Sequence, residues 1–156
     1  MKSILTTTAI LLAAMSAGQA KGKEFSGTIG LQATVSETIK MPSNRGRFNT
    51  RFLGAGGLSF ADETDLKLFT FSCIGQDTTQ DGSVVELKAD CELRSNETSA
   101  IFASFDPALS RFIVTGGEGD WAGAAGFFTA EYKATPPSSD GHLMFFSTLK
   151  GEITQP

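Results

Sequence analysis

Histidine, tryptophan and tyrosine each occur once in the 156 residues, and cysteine occurs twice. A lone His142 with neither CxxC nor HxxxH spacing gives no basis for a metal site, and none is expected. Beyond residue 20 no stretch approaches the roughly 18 apolar residues of a membrane helix, so no helical membrane span is expected. No window there sustains apolar residues at i, i+3, i+4 and i+7, which excludes folds built on amphipathic helices. Positive charge is scarce as well. The whole chain carries a net charge of −4, and Lys2 is the one charged residue among the first twenty, so the remainder carries −5. A nucleic-acid partner is not expected, because it would need a concentrated basic patch.

The first twenty residues, MKSILTTTAILLAAMSAGQA, supply a positive Lys2, a short apolar core over Ala9 to Met15, and small residues Gly18 and Ala20. This is the pattern of a cleavable signal peptide cut after Ala20. It leaves one domain over residues 21–156 and predicts a soluble protein of the periplasm or the extracellular space. In that oxidising setting the even cysteine count predicts a disulfide between Cys73 and Cys91. Closing that loop adds roughly 3 kcal/mol in the chain-entropy model.

What the chain has in quantity is period-two alternation. In EFSGTIGLQATVS, Phe25, Ile29, Leu31 and Val35 alternate with Ser26, Thr28, Gln32 and Thr34. DLKLFTFSCI and SVVELKADCEL read as two further strands, with GQDTTQDG as the loop between them. Cys73 shares a face with Phe69 and Phe71, and Cys91 with Leu87, Ala89 and Leu93. A hairpin that packs these faces inward brings the sulfurs together. TSAIFASF, SRFIVT, FFTAEYKA and HLMFFSTLKGEI follow, separated by turn residues. Residues 38–60 are expected to mix a long loop with one strand near Arg51 to Phe60. Seven or eight consecutive strands with short connections mean a β-sandwich or an up-and-down barrel. The adjacent pairs Phe127–Phe128 and Phe145–Phe146 point to opposite faces, which leaves an outward apolar face for a partner subunit to cover.

The segment TGGEGDWAGAAG, Thr115 to Gly126, places Gly116, Gly117, Gly119, Gly123 and Gly126 around Trp121. Gly117, Gly119 and Gly123 come close to GxGxxG but with one residue too many before the last glycine, and a phosphate site of that kind needs a helix after the glycines. The residues that follow alternate like a strand, and no Walker lysine occurs, so no nucleotide cofactor is expected. The segment reads instead as a glycine corner between two strands, with Trp121 folded over the barrel end and with Glu118 and Asp120 as solvated turn carboxylates.

RFIVTGGEGDWAGAAGFFTAEY resembles the TGGTGxFAGAxG segment of bacterial exported relatives of allene oxide cyclases and plant dirigent proteins. The resemblance covers roughly residues 83–134, including ADCELRSNETSAIFASFDPALS upstream. It implies an all-β, antiparallel eight-stranded barrel with an apolar pocket along its axis, trimeric in many plant members. RSNETS stands where the relatives often carry an acidic DxDGD hairpin, and Trp121 stands where they carry Phe or Tyr. The matched segment holds none of the family's pocket residues, so no catalytic role is carried over.

Candidates for chemistry come from the residues themselves. Tyr132 shares the apolar face of its strand and is a candidate polar tip inside the barrel. His142, beside Gly141 at the start of a strand, is a candidate catalytic base, without an identifiable Ser or Cys nucleophile. Glu131 and Glu86 alternate with apolar neighbours and are expected to face water. Arg45, Arg47 and Arg51 surround Phe48 in NRGRFNTR and are candidates for holding an anionic group at a barrel mouth. NET at Asn96 fits the glycosylation pattern and, in a bacterial protein, is an ordinary turn. The leading reading is an exported barrel that binds a small apolar ligand or serves as a structural module. A cyclase or isomerase acting in the cavity, and a dirigent-like protein that steers coupling without catalysing it, are the alternatives.

Overall fold

The computed structural model of the protein describes residues 22–81, 83–135 and 143–155. The expected leader and His142 lie outside the described residues. Eight strands follow in order: β1 (Lys23–Met41), β2 (Arg45–Phe60), β3 (Lys67–Gln80), β4 (Ser83–Arg94), β5 (Ala100–Asp106), β6 (Arg111–Glu118), β7 (Ala125–Ala134) and β8 (Leu143–Thr154). Each pairs antiparallel with its neighbour in sequence, and β8 returns to pair with β1, closing a barrel. The closed order selects the barrel over the sandwich, while at the rim β1 beyond Ala33 is paired only with β2 and β4 before Asp90 only with β3 among the described residues. Among the described residues no helix is long and apolar enough to cross a membrane.

Two segments differ from the sequence-based expectation. Residues 38–60 are not a long loop with one strand: β1 runs on to Met41, and β2 begins at Arg45 after a three-residue turn. GQDTTQDG is not a loop either, because β3 continues through it to Gln80, in register with β2 back to Arg45. Both stretches lie at one rim of the barrel. There the backbones complete the hydrogen-bond ladder while many side chains meet water, so the strands lack an apolar period-two pattern.

The opposite end is filled. The inward side chains Phe25, Leu58, Phe60, Phe69, Phe71, Leu93, Ile101, Phe128, Leu149 and Ile153 are all buried. Bulk on one strand meets glycine on the next: Gly54 pairs with Phe71, Gly56 with Phe69, and Gly151 with Phe128. This alternation of large and small lets the rings interdigitate inside a narrow barrel. The adjacent phenylalanines do split between faces. Phe128 is buried, while Phe127 lies beneath the Arg111 guanidinium, 4.4 Å from its centroid. Phe145 faces the barrel axis, and Phe146 is 55% exposed on the outside.

The glycine corner seals this filled end. Residues Gly119–Trp121 form one turn of 3-10 helix between β6 and β7. Trp121, 3% exposed, stacks on Phe60 with centroids 5.6 Å apart and lies 5.9 Å from Phe69. Its indole N–H donates to Ser95 Oγ at 3.2 Å, and Ser95 in turn donates to the Ser99 carbonyl. Gly119 has φ +60, and Gly126 has φ +143 with the Glu152 carbonyl where a Cβ would stand. Both backbones therefore require glycine. Glu118 and Asp120 are exposed but not merely solvated. Arg94 pairs with Glu118 at 2.9 Å, and Ser99 donates to Asp120 at 3.1 Å. A strand follows the segment, so the backbone geometry of a nucleotide loop is absent.

Because Trp121 is buried against two rings and holds a hydrogen bond, Trp121→Ala is expected to destabilise the barrel by about 3–5 kcal/mol. Urea denaturation checks this. A loss below about 1 kcal/mol would show that the corner is not a structural plug.

Candidate functional site

The fill of the barrel changes along its axis. Toward the rim where β3 ends, the inward positions become small: Cys73 and Gly75 on β3, Ala89 and Cys91 on β4, Ala103 on β5 and Ala130 on β7. Small residues facing one another cannot meet across the axis, and a cavity of about 350 Å³ remains. That is within the range of small-molecule sites.

Four aromatic rings wall this cavity: Phe52 of β2, Phe112 of β6, Tyr132 of β7 and Phe145 of β8. Phe52 and Phe145 meet edge to face, 6.3 Å apart. Cys73 and Cys91 are directly paired across β3 and β4 and form the expected disulfide, which supplies another part of the wall. Leu31, Leu87 and Ala89 add aliphatic surface, and Val84 and Tyr132, 60% and 52% exposed, stand where the cavity meets solvent.

One charged residue interrupts this apolar wall among the described residues: Asp77 of β3. Its Oδ1 is buried and has no hydrogen-bond partner. Burial raises the carboxyl pKa above the usual value, because the carboxylate loses water without gaining a donor. Tyr132 stands on β7, half the barrel circumference from β3. Loss of water around its hydroxyl raises the phenol pKa above the usual value, although the residue as a whole is half exposed. In register with Tyr132, Ser147 is fully buried and its Oγ has no partner.

The structure brings Tyr132 and the disulfide to one cavity but does not bring the three arginines there. Strand alternation turns Phe52 to the axis, so Arg45, Arg47 and Arg51 fall on the outward register of β2. Arg51 borders a separate outer groove with Thr70, Glu92 and Arg94. Glu131 is exposed, and Glu86 pairs with Lys88 at 3.1 Å. Asp77 escapes sequence reasoning because its segment reads as a loop. Its parity with Phe69, Phe71 and Cys73 is the signal that identifies it as inward-facing.

No family model matches the chain, and no curated protein matches it significantly. Among solved structures, it is similar to that of a pterocarpan synthase dirigent protein, at 16% sequence identity and a TM-score of 0.42. The match covers 96% of this chain and 100% of that one.

The raised pKa of Asp77 has a definite consequence for stability. The folded protein holds this proton to higher pH than the unfolded chain does, so stability falls as pH rises through that window. Asp77→Asn removes the charge and keeps the shape. The variant is expected to be more stable than the parent at neutral pH, with the advantage fading as pH falls into the ordinary carboxylate range. Urea midpoints across pH check this, and a less stable variant at neutral pH contradicts it.

Proposed function

We propose that this is an exported barrel protein that binds a small, largely apolar molecule in the cavity at its open end. The observation that carries the reading is the contrast between the two ends. Bulky side chains fill one end, while at the other four aromatic rings and a disulfide surround about 350 Å³. A barrel serving only as a structural module has no need of that unfilled end. The leader-like residues 1–20 and the disulfide support export, since disulfides persist in oxidising compartments.

A second reading, a cyclase or isomerase acting in the cavity or a dirigent-like steering of a bound intermediate, draws on Asp77 and Tyr132. Both line the cavity, and a carboxyl with a raised pKa amid apolar walls is suited to proton transfer. Self-association completes the proposal. The outer faces of β8, β1 and β2 present Phe146, Met144, Leu53 and Ala55 around Gly30, with no charged side chain between them. Copies of this chain, three by the family resemblance, cover that patch.

Ala89→Phe places a ring inside the cavity. It is expected to abolish binding of a neutral apolar fluorophore such as naphthylmethanol, at a stability cost of about 1–3 kcal/mol. Fluorescence titration, with circular dichroism to verify the barrel, checks this. Undiminished binding contradicts a site between Phe52, Ala89 and Phe145. Native mass spectrometry of the exported protein is expected to show a trimer, and a monomer at micromolar concentration overturns the self-association.

A further inference from the structure

We infer that the cavity is selective for a lipophilic amine in its protonated form, with Asp77 as the anchor for the ammonium group. The inference rests on the ligand-binding reading above and adds the chemical class of the ligand.

Three observations carry it. First, Asp77 is the one charged residue among the described residues that line the cavity, and no lysine or arginine stands with it. A carboxylate ligand would bring a second negative charge against Asp77 with nothing to neutralise either. A neutral hydrocarbon would leave the carboxyl without a partner. Second, Oδ1 is already withdrawn from water without a hydrogen bond. A buried carboxylate in that condition lacks what an N–H⁺ donor supplies, and charge-assisted hydrogen bonds are the stronger kind. The direction of the pKa shift agrees with this geometry, since desolvation is its cause and an adjacent cation would oppose it. Third, the wall includes four aromatic rings among its apolar residues. Phe52, Phe112, Tyr132 and Phe145 offer ring faces that attract an ammonium group electrostatically and an aryl or alkyl body by apolar contact.

The charge of the whole protein works in the same sense. The net charge of −4 favours approach of a cation and opposes that of an anion. The arginines that suggested an anion site lie on the outward register of β2, where they do not offset Asp77 inside the barrel. Neighbouring strands leave Asp77 between Phe48 and Leu87 in register, so no adjacent side chain on either strand supplies a counter-charge.

The test is isothermal titration calorimetry of the full oxidised protein at neutral pH with three probes of one hydrocarbon body: naphthylmethylamine, naphthylmethanol and naphthoate. The amine is expected to bind about tenfold or more tightly than the alcohol, and naphthoate most weakly. In Asp77→Asn the advantage of the amine is expected to vanish, amine and alcohol binding alike, while circular dichroism reports the folded barrel. That second measurement separates loss of the charge from loss of the fold. Equal binding of amine and alcohol by the parent, or a preference for the amine that persists in Asp77→Asn, overturns the assignment of charge and leaves the cavity reading standing. Failure of all three probes to bind overturns the cavity reading itself and this inference with it.

Discussion

The structure depends on how a narrow closed barrel fills its own interior. Eight strands leave little room along the axis, and phenylalanines can enter only where the neighbouring strand yields space. Gly54 beside Phe71, Gly56 beside Phe69 and Gly151 beside Phe128 provide it. Trp121 then caps the rings, held by stacking on Phe60 and by a hydrogen bond to Ser95. Because this end is solid, it acts as the floor of the cavity above. The closed barrel thus has an interior with one filled end and one open end.

At the open end the chain reverses its choice of residues. Small side chains on β3, β4, β5 and β7 leave space, and the Cys73–Cys91 crosslink joins two of those strands where little side-chain packing is available. A staple there offsets some of the cohesion lost by leaving the interior unfilled. The aromatic walls keep the space apolar, and Asp77 gives it polarity of a single sign. Size, apolarity and one unpartnered carboxyl are separate properties of one region, and together they narrow the proposed ligand more than the barrel fold does.

The parts of this arrangement that were legible from sequence are those under a strict local constraint. Period-two alternation marked the inner faces of β1, β3 and β4, and shared parity paired the two cysteines. The strand-like run after Gly126 marked β7. The rim was not legible. Residues Arg45 to Thr50 and Gly75 to Gln80 carry polar side chains on strands whose pairing is set by barrel closure over long sequence separations, and local pattern does not report that. Asp77 therefore falls in a segment whose pattern reads as a loop, and so do Arg45 and Arg47, although they stand on β3 and β2. The most polar residue of the cavity lies in the stretch where the apolar signal fades.

The central claim is that the open end encloses a real apolar cavity rather than a collapsed mouth. A crystal structure of the oxidised protein under xenon pressure tests it most directly, because xenon occupies apolar cavities without requiring a specific ligand. The account predicts a xenon peak between Phe52, Phe112 and the Cys73–Cys91 disulfide. Absence of a peak there, with the aromatic side chains folded together across the axis, would contradict it.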